Sequence, residues 1–299
     1  MRKYTIVCDG NSNLSLEDRN KYGIKMVCAK FELDGKLYEA SPDYKDMSVK
    51  DFYDQIRNGK RITTSKVNPS EFEELFEKIV NDGEDVLYIA CAEKLSASYS
   101  SSLIAKDNIL KNHPDANIEC VNSHNATYAL GMMILDAAKR RDDGMSLIDN
   151  VNWIKAHDQE YNQIGTVGEL VYLKRAGRVS APSAFFGGLL GIKPIIVSDK
   201  EGGNAAVEKM KGKKKAFLHM AEVVKQYINT KDHKIVYMNH ADCIEDATEF
   251  ANLILEKVND PELKVEYHII EPAIGASVGP GTLIFNFYAS SKLREDFNK

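Results

Sequence analysis

What most limits the fold of this chain is a series of short apolar runs spaced by helix-length amphipathic segments. Residues 4–8, 85–91 and 117–121 form such runs, rich in Val, Ile, Leu, Tyr and Cys. A strand that is apolar on both alternating sets of positions is buried on both faces. That is the condition of a parallel sheet covered by helices. Residues 24–33 read as a further strand. Ser48 with Asp51 resembles a capping box opening a helix that ends at Gly59, and Phe72, Leu75, Phe76 and Ile79 recur at helical spacing within 71–80. Residues 98–111 read as a helix stopped near Pro114, and 126–141 and 147–161 as two more. The β-α-β-α order predicts a largely parallel sheet.

The pattern shifts near Gln163. Strand-like residues 165–171 and 193–197 flank a small apolar stretch at 184–190. The turn Asp199-Lys200-Glu201-Gly202-Gly203-Asn204 leads into 205–210, which reads as a hairpin partner. Helices at 216–228 and 244–258, strands at 234–239, 265–270 and 283–288, and a glycine-rich loop at 275–281 complete the chain. Helices mixed with a hairpin predict a second, mixed sheet. The expectation is an α/β protein of two α/β domains, 1–162 with a mainly parallel sheet and 163–299 with a mixed one.

Charge and cysteine usage narrow the functions. The formal net charge of −5 lacks the basic face that phosphate contacts in nucleic acid require. Five scattered cysteines without a C-x-x-C pair argue against a zinc site or disulfide framework, so no metal is expected. No apolar run reaches the ~18 residues of a membrane span, so no stable membrane insertion is expected. The opening Met-Arg-Lys-Tyr-Thr-Ile-Val reads as a strand and not a signal peptide, which predicts a cytoplasmic protein.

Two hydroxyl-rich segments are the strongest site candidates. Thr63-Thr64-Ser65 and Ser96-Ala97-Ser98-Tyr99-Ser100-Ser101-Ser102 each fall at a strand end or helix start, where α/β proteins hold ligands. Thr64 and Ser96 brought together could hold a carboxylate or phosphate without a charged side chain. Thr64 and Ser65 also fit turn stabilisation, and at least one of the serines is expected to cap the helix at 98–111. Asp9, in the turn after the first strand, and His240, closing a later one, are secondary candidates. An acyl- or phosphoryl-transfer enzyme using Ser96 or the loop from Gly275 to Gly281 is the alternative. That loop lacks the Gly-Lys-Ser/Thr ending of a P-loop, and the sequence nominates no base near Ser96. No catalytic residue is therefore assigned.

Five ordered segments carry a resemblance. Thr64-Ser65-Lys66-Val67-Asn68-Pro69-Ser70-Glu71-Phe72 is similar to T-S-Q-P-S-P-x-x-F, and Leu95-Ser96-Ala97-Ser98-Tyr99-Ser100-Ser101 to L-S-G-T-Y-Q-S. Tyr172-Leu173-Lys174-Arg175-Ala176-Gly177-Arg178-Val179-Ser180 resembles Y-L-x-K-G-G-R-I-S. Leu190-Gly191-Ile192-Lys193-Pro194-Ile195 resembles L-x-I-K-P-I, and Val278-Gly279-Pro280-Gly281 resembles T-G-P-G. These are motifs of the DegV family, whose members include the fatty-acid-binding subunits of bacterial fatty acid kinases.

The resemblance implies a non-enzymatic protein that buries one long-chain fatty acid in a tunnel at or near the domain junction, with no cofactor. It places the carboxyl group on Thr64 and Ser96, with Ser65 and Ser277 beside them. Arg178 is implied at the tunnel mouth or in partner docking, and Asp9, Ser98, His240 and Gly279 as secondary lining. It implies a partner, an ATP-dependent kinase subunit that phosphorylates the bound acid. Three positions depart from the family pattern. Ser277 stands where a histidine is frequent, Lys66 and Val67 replace Gln-Pro, and Asn13 replaces the second acid of D-S-x-x-D-L.

Overall fold

The computed structural model describes residues 2–180 and 191–297. The 184–190 stretch and Leu190 of the fourth motif lie outside them.

Three sheets organise the chain. The first is all parallel, in the order β2-β1-β6-β7, from β1 (Tyr4–Asp9), β2 (Lys25–Val27), β6 (Asp85–Ala90) and β7 (Ile118–Asn122). Strand alternation sends Ile6, Cys8, Leu87 and Ile89 to one face and Val7, Val86 and Tyr88 to the other. α3 (Pro69–Asn81) and α4 (Ser98–Asn112) cover the second face, while α5 (Thr127–Asp142) and α6 (Leu147–His157) cover the first.

The expected strand at 24–33 is divided. Its first part is β2; its second, β3 (Lys30–Leu33), pairs antiparallel with β4 (Lys36–Glu39) and β5 (Thr63–Ser65) in a small separate sheet. α2 (Val49–Arg57) starts at the expected cap, with Ser48 accepting from the Asp51 amide.

The third sheet is mixed and seven-stranded: β13-β12-β14-β8-β10-β11-β9. Its strands are β8 (Tyr161–Thr166), β9 (Val179–Ser180), β10 (Ile192–Ser198), β11 (Asn204–Lys211), β12 (Ile235–His240), β13 (Lys264–Ile269) and β14 (Leu283–Tyr288). β10 and β11 form the expected hairpin, with Ser198 opposite Asn204. α8 (Lys213–Tyr227) and α9 (Ile244–Val258) cover its outer face.

Three expectations shift. β8 begins at 161, inside the expected helix and ahead of the expected strand, because Asn162 and Gln163 are buried polar residues that hide the apolar pattern of a strand. The residues expected to extend it form α7 (Leu170–Ala176), closed by Gly177 in the left-handed region. The glycine-rich loop is mostly helical: α10 (Pro272–Val278) contains Gly275, where a Cβ would meet the Tyr53 hydroxyl at 2.7 Å.

The first and third sheets share one helix. Eleven residues of α5 are buried, on every side, because it packs on the parallel sheet and on β8, β12 and β14 together. Tyr128 stacks on Tyr237 of β12 with ring centroids 3.9 Å apart. The third sheet also supplies the caps at the start of α5: Asn239 accepts from the Tyr128 amide at 3.2 Å and Asn286 from the Ala129 amide at 3.1 Å. A second tie comes from α11 (Lys292–Phe297). Its Arg294 is fully buried and donates to Asn125 Oδ1 (2.6 Å), the carbonyls of His124 (2.9 Å), Tyr161 (2.6 Å) and Asp199 (3.2 Å), and Asn162 Oδ1 (3.1 Å). Five acceptors keep this guanidinium charged although burial lowers its pKa to about 10.

Candidate functional site: a hydroxyl-lined cavity

In the parallel sheet the chain runs from β1 to one neighbour, β2, and later returns on the other side with β6. The crevice beyond the carboxyl ends of β1 and β6 is therefore a topological switch point, the favoured ligand position in such sheets. A cavity of about 300 Å³ opens there. Asn11 reaches it from the turn after β1, and Cys91, Leu95 and Ser96 from the turn after β6. β5 and the residue after it add Thr64, Ser65 and Lys66. α10 adds Ile274, Ser277 and Val278, and the α7–β9 segment adds Leu173, Arg178 and Val179.

Thr64, Ser65, Ser96, Ser277 and Arg178, remote in sequence, thus line one cavity. Small contacts hold the two hydroxyl segments side by side. The Val67 amide donates to Ser98 Oγ at 3.3 Å, and Ser98 Oγ lies 3.0 Å from Ser96 Oγ. Neither Thr64 nor Ser65 serves α3. Asn68 is its cap, in a capping box with Glu71. Thr64 lies opposite Phe31 in the small sheet, exposed, and its hydroxyl has no partner among the described residues.

The serines divide their work otherwise than expected. Ala97 occupies the cap position of α4, with no side-chain cap. Ser96 accepts from the Ser98 amide at 3.3 Å, Ser100 donates to Glu93 at 2.8 Å and Ser102 to the Tyr99 carbonyl at 2.7 Å. The N-terminal end of α4, positive in its dipole, therefore follows directly on the two cavity residues Ser96 and Ala97.

The secondary candidates lie outside the cavity wall. Asp9 is buried beneath it and accepts from the Tyr88 hydroxyl (3.0 Å) and the amides of Cys91 (2.9 Å) and Asn11 (3.1 Å). Desolvation raises its pKa to about 6 against those donors. It shapes the two turns that carry Asn11 and Cys91. Ser98 is a buried layer behind Ser96. His240 is buried at the end of β12, its Nδ1 accepting from the Cys243 amide at 3.3 Å, and burial lowers its pKa. Gly279, at φ 74°, closes α10 where any Cβ would collide with the Tyr172 ring.

The N-terminus of α10 offers nothing to a phosphate. Glu271 already accepts there from the amides of Ala273 and Ile274, both at 2.6 Å. Burial raises the pKa of Glu271 to about 8, and these donors oppose the shift. No histidine, aspartate or glutamate stands among the described residues of the cavity wall, so Ser96 has no base beside it. Desolvation holds the Cys91 thiol well above its ordinary pKa, leaving it protonated and unreactive.

The polar far wall was not legible in the sequence. Thr127 takes a positive φ of 52°, which brings its hydroxyl 2.8 Å from Gln163 Oε1, and Gln163 donates to Asn204 at 2.9 Å. All three residues line the cavity. A β-branched residue in that conformation is strained and persists only where its surroundings fix it, here through the caps of α5. Its one sequence signal is the polar Asn162-Gln163 pair where a strand begins. The fourth motif also finds a role: Lys193 donates to the carbonyls of Val167 (3.0 Å) and Gly168 (2.9 Å), fixing the turn that abuts Pro280.

An α/β frame with a hydroxyl-lined cavity at the switch point of a parallel sheet is an architecture suited to holding a small ligand. The chain belongs to the DegV family: the family described as "Uncharacterised protein, DegV family" matches residues 3–289. A DegV domain-containing protein of Clostridium perfringens is 32% identical over 295 residues, covering 98% of this chain and 99% of that one. A solved structure described as fatty acid binding of a DegV family protein, from Thermus thermophilus, is 26% identical with a TM-score of 0.81. It covers 97% of this chain and 100% of the other. A stearic-acid-binding protein from Eubacterium ventriosum is 25% identical with a TM-score of 0.83, covering 97% and 99%.

Proposed function

We propose that this chain binds one long-chain fatty acid, with the carboxyl group held by the hydroxyls of Thr64 and Ser96 and the acyl chain on the apolar side of the cavity. The observation that carries this reading is the convergence of those two hydroxyls, one from β5 and one from the turn after β6, on one cavity whose walls include Leu95, Leu173, Ile274, Val278 and Ile284. Burying a chain of about 16 carbons at ~0.8 kcal/mol per CH₂ offers on the order of 10 kcal/mol before ordering costs, so the tail supplies affinity and the hydroxyls set orientation. Relatives described as fatty-acid-binding support the ligand class.

In this reading the protein is a cytoplasmic carrier that performs no chemistry, and the chain divides at 162/163, within β8, with the ligand near that junction. Arg178 stands exposed at the cavity rim, its guanidinium donating to the Ala176 carbonyl at 2.6 Å, where a second protein can reach it. Presentation of the bound acid to an ATP-dependent fatty acid kinase subunit fits that placement. Denaturing mass spectrometry of the purified protein is expected to release fatty acids at near-stoichiometric yield. Absence of lipid, together with no binding of added palmitate, refutes the reading.

A further inference from the structure

Two cations stand on the cavity wall, and no carboxylate stands there among the described residues. Lys66 follows β5 directly and shares the wall with Thr64 and Ser65. It makes neither an ion pair nor a hydrogen bond among the described residues. Its neighbours show that this is not for want of acids on the same surface, since Lys30 pairs with Glu71 at 2.9 Å and Lys60 with Asp34 at 2.8 Å. The second cation, Arg178, is bound to a backbone carbonyl and, among the described residues, to no carboxylate. Residues 181–190, which follow β9, contain no Asp or Glu in sequence. The wall adds the uncapped start of α4 behind Ser96, positive by its dipole. The described residues of the cavity wall thus include two cations and no carboxylate, in a protein of net charge −5.

We propose that Lys66 is a specificity-determining residue that reads the charge of the ligand's head group, so that the cavity selects fatty carboxylates over neutral amphiphiles of the same chain length. This inference rests on the fatty-acid reading above and adds a contact that the hydroxyls do not provide. Thr64 and Ser96 donate hydrogen bonds to any head-group oxygen, whether of an acid, an ester or an alcohol. An ammonium adds a Coulomb attraction that only the ionised acid feels. Because Lys66 is exposed, that attraction is worth what an exposed pair is worth, about two- to fivefold in affinity. It is also screened by salt, whose Debye length falls to about 3 Å at about 1 M.

The test compares palmitate with hexadecanol, each displacing a fluorescent fatty acid from delipidated protein, for the native chain, Lys66→Gln and Lys66→Arg. The expected result is a two- to fivefold loss of palmitate affinity in Lys66→Gln, hexadecanol unchanged, with Lys66→Arg native-like. At about 1 M salt the difference between native chain and Lys66→Gln is expected to vanish. Equal weakening of both ligands would make Lys66 part of the wall and overturn the inference, as would an unchanged palmitate affinity. Either leaves the fatty-acid reading standing, whereas failure of the native chain to bind palmitate ends both. Lys66 is exposed and has no partner among the described residues, so circular dichroism is expected to show all variants folded.

Discussion

Replacing Thr64 by Val tests the proposed head-group contact. Val keeps the volume and β-branching that suit β5, and Thr64 lies exposed there with its hydroxyl unpartnered among the described residues. The folded protein therefore loses no internal hydrogen bond, and its stability is expected to stay within about 0.5 kcal/mol of the native value. A hydroxyl donating to an ionised carboxylate contributes about 1.5–3 kcal/mol, so the palmitate Kd is expected to rise between about 10- and 150-fold. Ser96→Ala provides the contrast. Ser96 accepts from the Ser98 amide and touches Ser98 Oγ, so its loss is expected to lower stability by about 1 kcal/mol as well as weaken binding. Calorimetric titration with palmitate and a thermal melt on the same samples separate the two effects. A Thr64→Val protein that melts like the native one and binds palmitate within about twofold of it would remove Thr64 from the site.

Two further outcomes concern the frame around the cavity. Asp9 and Glu271 have folded-state pKa values raised to about 6 and about 8 by burial, so the stability linked to their protonation is full below their unfolded values near 4 and is lost as pH rises through about 6 and then about 8. The urea midpoint is expected to fall across that window, and Glu271→Gln to flatten its upper part; an unchanged slope in that variant refutes the assignment. Gly279→Ala forces a Cβ into the Tyr172 ring at a backbone conformation that is essentially glycine-only, and is expected to cost 1–3 kcal/mol in urea unfolding. Adding Tyr172→Ala should recover the collision but not the backbone part; full recovery would contradict the strain argument.

The parallel sheet was readable because β1, β6 and β7 are apolar on both faces, and burial on both faces leaves that trace in a single sequence. β8 was misplaced for the opposite reason: Asn162 takes a bond from Arg294, and Gln163 bonds Thr127 and Asn204, partners at least 36 positions away that no local pattern reports. The division of 24–33 into β2 and β3 likewise depends on which strands each half pairs with. In the cavity, Thr64, Ser96, Ser277 and Arg178 were identifiable through motif order. Asn11, Thr127 and Asn204 were not, since a threonine at positive φ or an asparagine in a turn looks the same whether it faces a ligand or solvent.

Arg294 has a bearing on how a ligand enters. Its guanidinium draws on carbonyls and amides from the segment before α5, from β8 and from the β10–β11 turn, so it clamps the parallel sheet's connections to the mixed sheet. Drawing the two sheets apart would strand a charged group among dry, orphaned acceptors, a far steeper climb than displacing surface side chains. If the cavity holds an acyl chain, its exchange is therefore expected without parting the sheets like a clamshell. Under the fatty-acid reading, loading and unloading are instead expected at the wall where α7, β9 and the short α10 meet.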